Sequence, residues 1–399
     1  MQGSKNGALP LLAATLLIPG KTTLYGCPDI SDVHAMLSLL QCVGCSTTRE
    51  NGKITVDASQ VQPARCPQTL TKSMRSSIML LGPLLGRCGQ ASASRPGGCV
   101  IGARPINLHL DALERMGVHF EGQEEILARA YVLHGAEVHL PFPSVGATEN
   151  VILAAVLAEG TTYLYGAALE PEIRQLCQFL VRAGASIEGI GTDRLVIRGV
   201  KKLHETEFTV PGDRIVAGTY MLGAVATRGR VTLHHIKSGD MGNVPLVLEK
   251  MGALVRTGED EIEVDATGAG LCIPYIRTEV FPGFSTDLQS MLTVCLATAR
   301  GNSILEETIF EDRFKIVEPL WQMGARIRVD GSRIQIIGVE TLHGQRVQAK
   351  DLRGGAALVL AGLAAEGETI VEGETFIHRG YEDIERDLKL LGGRIEKTE

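Results

Sequence analysis

The 399-residue chain is long enough for two or three domains, and its 44% hydrophobic and 21% charged residues are typical of a globular protein. A formal net charge of −7 argues against a general nucleic-acid binder or a membrane-surface protein. Any anion-binding site must therefore be a local cluster of cations in an otherwise acidic protein.

The nine cysteines are scattered along the chain, which indicates a reducing, cytoplasmic environment and not a disulfide framework. Cys42 and Cys45 lack a second ligand pair, so no metal site is expected there. Apolar residues near the N terminus resemble a secretory signal, but similar runs recur inside the chain. None reaches the ~20 apolar residues that cross a bilayer, so we predict no signal peptide and no membrane segment.

Taken in chain order, one unit of about seventy residues recurs along the sequence. Each copy opens with a strongly apolar helix, which predicts that this helix is buried. The apolar helices are predicted at Ala8–Leu17, Ser73–Leu85, Thr148–Ala158, Ile215–Thr227, Asp287–Ala299 and Gly354–Ala365. A glycine follows each, as helix C-caps prefer: Gly20, Gly86, Gly160, Gly229, Gly301 and Gly367.

Each copy continues with an amphipathic helix that ends in a glycine and a small residue. These ends are Gly44-Cys45, Gly117-Val118, Gly184-Ala185, Gly252-Ala253, Gly324-Ala325 and Gly392-Gly393. A strand is predicted after each, and Asn51-Gly52 and Asp330-Gly331 are strong hairpin signals. Six βαβαββ-like repeats, three to a domain, predict two similar α/β domains with a boundary near Pro211-Gly212.

Cations open several of these helices, although a cation at a helix N terminus opposes the macrodipole and costs about 0.3–1 kcal/mol. The pattern favours a multiply anionic ligand held between the two domains. Alternatively, each cation pairs with a nearby carboxylate such as Asp213, Asp312 or Asp351. The cations are Lys5, Arg75, Arg214 and Arg353 on the first helices, and Arg104, Arg313 and Arg379 on the second helices.

The fifth repeat offers an acid, Asp287, where the others offer cations. A carboxylate that faces a cationic cleft can act as a general base for a substrate hydroxyl. Alternatively, Asp287 is only the N-cap of its helix, although Ser285 could serve as that cap instead.

A glycine-rich loop between two arginines contains Cys99, flanked by Gly97, Gly98 and Gly102. Arginines and exposed backbone N–H groups favour the thiolate, so Cys99 is a candidate reactive cysteine. The alternative is a tight surface turn with a small apolar residue.

Eight stretches spread along the chain form a recognisable set of motifs. They are G-S-K-N-G-A-L-P (Gly3–Pro10), M-R-S-S-I (Met74–Ile78), P-G-G-C-V-I-G-A-R-P-I-N-L-H (Pro96–His109), F-P-S-V-G-A-T (Phe142–Thr148), F-P-G-F-S-T-D (Phe281–Asp287), E-T-I-F-E-D-R-F (Glu307–Phe314), D-L-R-G-G-A-A-L-V-L-A-G (Asp351–Gly362) and H-R-G-Y-E (His378–Glu382). In these stretches the chain resembles the UDP-N-acetylglucosamine 1-carboxyvinyltransferase family of enolpyruvyl transferases over essentially its whole length.

The resemblance implies a two-domain inside-out α/β barrel, the enolpyruvyl transferase fold, whose domains close over the substrates. The first domain would span residues 4–211 and carry the UDP-sugar side and the cysteine loop. The second would span 212–399, with residues 1–3 as the remnant of its N-terminal strand. Family chains begin earlier than this one, so we expect a strand of the second domain to be missing.

The resemblance also implies that enolpyruvyl is transferred from phosphoenolpyruvate to the 3-hydroxyl of UDP-N-acetylglucosamine and that phosphate is released. This reaction is the first committed step of peptidoglycan precursor synthesis. Small-molecule substrates are the only partners implied; no cofactor, metal, nucleic acid or membrane is expected, and we expect a cytoplasmic monomer.

The site residues implied by the resemblance fall into three groups. Cys99 and Asp287 would be catalytic. Phosphoenolpyruvate would bind Lys5, Asn6, Arg104, Arg313, Arg353 and Arg379, with Lys5, Arg104 and Arg379 at its phosphate and Arg313 and Arg353 near its carboxylate. The UDP-sugar would bind Arg75, Arg104, Pro105, Ile106, Asn107, Leu108, Ser144, Val145, Gly146, Asp287 and Ile309.

Two other functions are compatible with the fold. One is a catalytically weak paralogue that binds UDP-sugars in a regulatory role. The other is 5-enolpyruvylshikimate-3-phosphate synthase, a sister enzyme that shares the fold but lacks the P-G-G-C loop found at Pro96–Cys99.

Overall fold

The structure, a computed structural model, describes residues 1–64, 66–67, 75–94, 102, 106–122 and 125–397. The chain divides into two compact units. The N-terminal unit comprises Gly3–Cys99 and Arg104–Pro211. The C-terminal unit comprises Met1–Gln2, Val100–Ala103 (of which Gly102 is described) and Gly212–Glu399. Each unit has its own apolar core.

Helices of two kinds alternate along both units, one kind nearly all buried and the other amphipathic. In the N-terminal unit the helices are Lys5–Ala14, Ser31–Cys42, Leu81–Cys88, Asn107–Arg115, Val145–Ala155 and Pro171–Arg182. In the C-terminal unit they are Arg214–Thr227, Val244–Lys250, Gln289–Ala297, Val317–Gln322, Leu352–Ala364, Glu374–Ile377 and Ile384–Leu390. Short 3-10 turns occupy Thr15–Leu17, Arg75–Leu80, Ser238–Asp240, Thr286–Leu288 and Phe314–Ile316.

Small sheets flank the helices of each unit. The strands, in chain order, are β1 (Lys21–Tyr25), β2 (Ser46–Glu50), β3 (Lys53–Asp57), β4 (Gln90–Ser94), β5 (His119–Glu121), β6 (Glu125–Arg129), β7 (Glu137–His139), β8 (Thr161–Tyr165), β9 (Ser186–Glu188), β10 (Arg194–Arg198), β11 (Thr206–Thr209), β12 (Arg230–His234), β13 (Leu254–Thr257), β14 (Glu261–Asp265), β15 (Tyr275–Arg277), β16 (Asn302–Glu306), β17 (Arg326–Asp330), β18 (Arg333–Ile337), β19 (Arg346–Gln348) and β20 (Ile370–Glu372).

Strand order follows the repeat. The N-terminal unit has sheets ordered β11-β1-β3-β2, β4-β6-β5 and β7-β8-β10-β9. The C-terminal unit has β12-β14-β13, β15-β16-β18-β17 and β19-β20. Four of these sheets contain one parallel pair: β1 with β11, β7 with β8, β15 with β16, and β19 with β20. The pairing of β11 with β1 places Thr206 opposite Thr22. The third repeat therefore completes the sheet of the first.

The apolar helices form the centre of each unit, as their sequences predict. In the C-terminal unit Arg214–Thr227, Gln289–Ala297 and Leu352–Ala364 all contact one another. Every residue from Gln289 to Ala297 is buried. A helix apolar on all sides is stable only when other elements surround it, and here two buried helices and the sheets do so.

The six glycines predicted to end the amphipathic helices all adopt a left-handed backbone, which a residue without a Cβ adopts at no steric cost. Their φ angles lie between 91° and 102°. In each case the next residue donates its N–H to a leucine carbonyl five positions earlier, as Cys45 does to Leu40 and Gly393 does to Leu388. This is the Schellman arrangement, and it confirms the predicted helix ends.

None of the six glycines predicted to cap the buried helices is the capping residue itself. Gly86 lies inside the helix Leu81–Cys88, and Gly89 ends that helix at φ 67°. Arg228, at φ 55°, ends the fourth buried helix one residue before Gly229. The other caps precede the predicted glycines and are Ile18, Val156, Thr298 and Ala365. At Gly86 the prediction was wrong because glycine also serves helix packing: Gly86 lies against Leu157 and Leu17.

Two strand and helix predictions also differ from the structure. The second buried helix, predicted over Ser73–Leu85, is a 3-10 turn at Arg75–Leu80 followed by an α-helix; Ser73 and Met74 lie outside the described residues. The strand predicted after Gly392-Gly393 does not form over 394–397, where the backbone is irregular. The predicted hairpins at Asn51-Gly52 and Asp330-Gly331 are confirmed.

Two alanine substitutions test whether Gly89, and not Gly86, caps the helix Leu81–Cys88. Gly89→Ala forces a left-handed alanine whose Cβ would lie 2.9 Å from the Ala130 carbonyl oxygen, so it should lower the free energy of unfolding by about 1–2 kcal/mol. Gly86→Ala adds a Cβ 3.5 Å from its nearest neighbours inside a helix and should raise that free energy by up to about 1 kcal/mol. Denaturant unfolding measures the free energy of unfolding of both variants. If Gly86→Ala were the destabilising substitution and Gly89→Ala the stabilising one, Gly86 would be the cap.

Candidate active site

Side chains cap the starts of five of the helices that the sequence predicts to be buried. Ser4 accepts the N–H of Gly7, and Ser144 accepts that of Ala147. Asp213 accepts the N–H groups of Ile215 and Val216. Asp351 accepts those of Arg353 and Gly354, and Ser285 accepts that of Asp287. The caps satisfy the helix ends, so the adjacent cations and Asp287 are left for other contacts.

In the N-terminal unit, Lys5 forms a nearly buried ion pair. Its Nζ lies 2.6 Å from Oδ2 of Asp32, in the first turn of the next helix. The predicted anion ligand Lys5 therefore has a fixed acidic neighbour that the sequence analysis did not identify. Asn6 follows Lys5 on the same helix and is half-buried.

A buried histidine joins the elements predicted to bind the UDP-sugar. His109 Nδ1 lies 2.8 Å from the amide nitrogen of Asn150, which also donates to the carbonyl of Ile78. Asn150 Oδ1 accepts the N–H of Gly82. Since Nδ1 of His109 accepts, its proton is on Nε2. A Cβ at Gly146 would lie 2.9 Å from His109 Cε1, so only glycine fits at this helix start.

In the C-terminal unit, Asp287 is the centre of a charge cluster. Its Oδ2 accepts from Nη2 of Arg353 at 3.0 Å, and its Oδ1 accepts from Nη2 of Arg313. Both arginines are buried, whereas Asp287 is about one-quarter exposed. The structure thus brings together three predicted site residues, Asp287 and Arg313 of the fifth repeat and Arg353 of the sixth. Arg313 and Arg353 both pair with Asp287, whereas Asp213 and Asp351 cap helices and Asp312 pairs with Lys315.

The charge state of Asp287 follows from these neighbours. Burial opposes its ionisation, but the guanidinium groups of Arg353 and Arg313, with a smaller contribution from Arg214, hold its pKa well below the usual range. Arg214 lies over the Phe281 ring, with 5.7 Å between Cζ and the ring centroid. Asp287 is therefore a carboxylate at neutral pH.

Arg353 has donor capacity that the described residues do not use. Its Nη1 is buried and has no hydrogen-bond partner within the described part of the chain. Tyr381 is buried beside it; burial raises the pKa of Tyr381, and the Arg353 guanidinium opposes that rise. Thr219 donates to the Ile215 carbonyl, so Tyr381 donates its own proton to Thr219 Oγ1, 2.7 Å away.

Other predicted residues lie in the following places. Ile309 is half-buried, and its N–H is bound by Glu307. Arg379 is half-buried after the helix Glu374–Ile377. Ile106 is buried, Asn107 is exposed and Leu108 is half-buried at the start of their helix. Cys99, Arg104, Pro105 and the side chain of Arg75 lie outside the described residues.

Sequence reasoning did not include Asp32, Arg214, Glu307 or Tyr381 among the candidate site residues. Arg214 was recognised as a charged helix start and could have been included on that basis. Asp32 and Tyr381 gain their partners Lys5 and Thr219 only through the fold, and so does Glu307 its partners Thr278 and Thr286.

The described residues contain no group of side chains arranged to bind a metal ion and no helix able to span a membrane. No cluster of three or more His, Cys, Asp or Glu side chains is arranged there to hold a metal ion. Burial raises the pKa of the Cys45 thiol to about 12, which disfavours the thiolate that a metal requires. Across the same residues, every helix is too short or too polar to cross a bilayer.

Comparisons with solved structures define the class of fold. The enolpyruvyl transferase NikO from Streptomyces tendae matches with a TM-score of 0.89 and 26% identity, covering 100% of this chain and 95% of that one. An EPSP synthase from Acinetobacter baumannii matches with a TM-score of 0.72 at 20% identity, covering 94% and 91%. The fold is that of the enolpyruvyl transferases, as expected from the sequence.

Sequence comparisons then identify the family within this class. The family model described as EPSP synthase (3-phosphoshikimate 1-carboxyvinyltransferase) matches residues 1–388. UDP-N-acetylglucosamine 1-carboxyvinyltransferase 2 from Caldanaerobacter subterraneus is 46% identical over 99% of this chain and 95% of its own length. The Acinetobacter baylyi UDP-N-acetylglucosamine 1-carboxyvinyltransferase is 44% identical over 100% and 96%. The chain belongs to the UDP-N-acetylglucosamine 1-carboxyvinyltransferase family.

The Asp287 cluster predicts a pH-dependent contribution to stability. Asp287→Asn leaves two buried guanidinium groups without their shared carboxylate, so the free energy of unfolding at pH 7 should fall by on the order of 3 kcal/mol. The folded pKa of Asp287 lies below the unfolded value of about 3.9. The Asp287 carboxylate therefore makes its full contribution to the free energy of unfolding above about pH 4. That contribution is lost as the pH falls through the folded pKa of Asp287.

Denaturant unfolding of both proteins at several pH values measures this difference. Asp312→Asn, in an exposed ion pair of the same segment, is the matched control and should change stability by no more than about 0.5 kcal/mol. A difference between wild type and Asp287→Asn that stays constant from pH 7 to pH 3 would contradict the assignment.

Proposed function

We propose that this chain transfers the enolpyruvyl group of phosphoenolpyruvate to the 3-hydroxyl of UDP-N-acetylglucosamine and releases phosphate, the first committed step of peptidoglycan precursor synthesis. Relatives at 42–46% identity over nearly the full chain carry this activity in their names. The observation that supports it physically is the surplus of cations at Asp287: two buried arginines share one carboxylate, and Arg353 Nη1 has no partner among the described residues. An anionic substrate would complete that cluster.

The proposed chemistry is an addition followed by an elimination. The sugar O3 forms a bond to C2 of phosphoenolpyruvate, C3 gains a proton, and the hydroxyl proton passes to a base. The C2–O bond to phosphate then breaks as C3 loses a proton, which restores the double bond. In this proposal Asp287 takes the hydroxyl proton, and Cys99, which is outside the described residues, protonates C3 or holds the substrate covalently.

The two arginine contacts bear on how Asp287 could act as a base. A carboxylate whose pKa is held so low accepts a proton poorly. If the carboxylate of phosphoenolpyruvate binds Arg313 and Arg353, it competes with Asp287 for the same donors. The pKa of Asp287 then rises toward its ordinary value when substrate is bound, which favours proton transfer at the moment it is needed.

The remaining residues receive the roles implied by their motifs. Lys5, Arg104 and Arg379 bind the phosphate of phosphoenolpyruvate, and Asn6 contacts the reacting sugar. The UDP-sugar binds Arg75, Arg104, Pro105, Ile106, Asn107, Leu108, Ser144, Val145, Gly146, Asp287 and Ile309. The positive end of the dipole of the helix Val145–Ala155 supports this assignment, since a helix N terminus favours anionic groups. We further propose that the protein acts as a monomer in the cytoplasm.

Phosphate release tests the proposed reaction. Phosphate should appear from phosphoenolpyruvate only when UDP-N-acetylglucosamine is present, and Asp287→Ala should abolish it because the base is lost. A malachite-green assay on folded protein measures the release, with shikimate 3-phosphate as the alternative acceptor. Turnover of shikimate 3-phosphate alone would assign the sister activity. Binding of the UDP-sugar by calorimetry without turnover would support a regulatory paralogue.

Reactivity of Cys99 tests the loop assignment. Fosfomycin, the epoxide that alkylates the loop thiol of this family, should add once to the protein, because a thiolate opens the epoxide ring. Intact-mass spectrometry should show one adduct that is lost in Cys99→Asp. The buried Cys177, whose thiol pKa is raised to about 12 by burial, should stay unmodified, and Cys177→Ala should leave the adduct unchanged. An unmodified wild-type protein would contradict the assignment.

A further inference from the structure

Glu307 is a buried acid with no role in the reaction proposed above. It follows β16 and accepts hydrogen bonds on both carboxylate oxygens. Oε1 accepts from the Thr278 hydroxyl at 2.9 Å and from the N–H groups of Ile309 at 2.8 Å and Phe310 at 3.2 Å. Oε2 accepts from the Thr286 hydroxyl at 2.8 Å. All four partners are donors, so the carboxylate organises the segments around it.

One of these contacts leads to Arg313. The Thr286 hydroxyl gives its single proton to Glu307, so the same oxygen faces Arg313 as an acceptor, 3.3 Å from Nε. With Nε held there, the planar guanidinium directs Nη2 to Asp287.

A second contact reaches Arg313 from another side. The N–H of Phe310 is bound to Glu307, and the Phe310 ring lies under the Arg313 guanidinium, 5.5 Å from Cζ to the ring centroid. A hydroxyl and an aromatic ring, both held by one carboxylate, thus constrain a buried arginine that contacts the proposed base.

We propose that Glu307 is a positioning residue for the transfer reaction, because through Thr286 and Phe310 it holds Arg313 in the orientation that binds Asp287 and phosphoenolpyruvate. This inference rests on the proposed function. The same carboxylate fixes the backbone at Ile309, a residue assigned to the UDP-sugar, so it links the binding of both substrates.

Thr286 and Thr278 provide a matched pair of variants. Each hydroxyl donates to Glu307, and each accepts one further hydrogen bond: Thr286 from Arg313, and Thr278 from the N–H of Thr308 at 3.0 Å. Replacing either threonine by valine removes two hydrogen bonds at nearly constant volume. Only Thr286→Val breaks the connection to Arg313.

Steady-state kinetics with both substrates separate the two variants. Thr286→Val should lower kcat/KM for phosphoenolpyruvate by about 10- to 100-fold, because a displaced arginine misorients the reacting groups. KM for the UDP-sugar should change by no more than about twofold. Thr286→Ser, which keeps the hydroxyl, should restore most of the activity, and Thr278→Val should stay within about threefold of wild type.

Glu307→Gln tests the carboxylate itself. The amide NH₂ that replaces one carboxylate oxygen cannot accept a hydrogen bond from the donors around it. The segments at Thr286 and at Ile309 and Phe310 are then held less firmly. KM should then rise for both substrates, unlike in Thr286→Val. Thermal unfolding followed by circular dichroism checks that each variant is folded; Thr278→Ala, which also lacks the hydroxyl, replaces Thr278→Val if the latter is not.

Equal losses in Thr286→Val and Thr278→Val, or a Thr286→Ser variant as slow as Thr286→Val, would overturn the positioning role and leave Glu307 with a structural one. An active wild type whose rate does not change in Thr286→Val would overturn it as well. Failure of the proposed function is a separate result: wild-type protein would release no phosphate with either acceptor.

Discussion

The contact on which the candidate site depends is the shared carboxylate of Asp287 between the guanidinium groups of Arg313 and Arg353. Burying two cations is costly unless opposite charge accompanies them, and one carboxylate balances only one of the two. Arg214 adds a third positive charge near Asp287 and Asp213 a second negative charge near Arg353, so the cluster retains a positive surplus. In the proposed function, this surplus and the Arg353 Nη1 donor, which has no partner among the described residues, bind the anionic substrate.

The helix caps make this arrangement possible. A cation in the first turn of a helix opposes the macrodipole, and the backbone N–H groups there need acceptors. Asp213 and Asp351 supply both an acceptor and a negative charge one or two residues before Arg214 and Arg353. The arginines can then extend away from their own helices, and Arg353 reaches Asp287 on another helix. Local capping thus frees charged side chains for long-range pairing.

Much of the fold follows from sequence, because its signals are local. Each amphipathic helix ends at a glycine that must adopt positive φ, and all six positions were predicted from the glycine and the small residue after it. Hairpins at Asn51-Gly52 and Asp330-Gly331 follow from turn chemistry in the same way. The error at Gly86 arises because glycine has two possible uses, close packing or a left-handed turn, and only the neighbouring elements decide between them.

The sequence by itself determined the repeat, the buried helices, the charged helix starts and the resemblance to a family whose fold the comparisons confirm. It placed Asp287, Arg313 and Arg353 among the site residues, but it left open whether each arginine pairs with its nearest acid. Only the tertiary structure decided that Asp287 is their partner, that Ser285 is the cap, and that Glu307 binds Thr286. These pairs join residues up to 66 positions apart, and no local periodicity specifies a contact between side chains that only folding brings together.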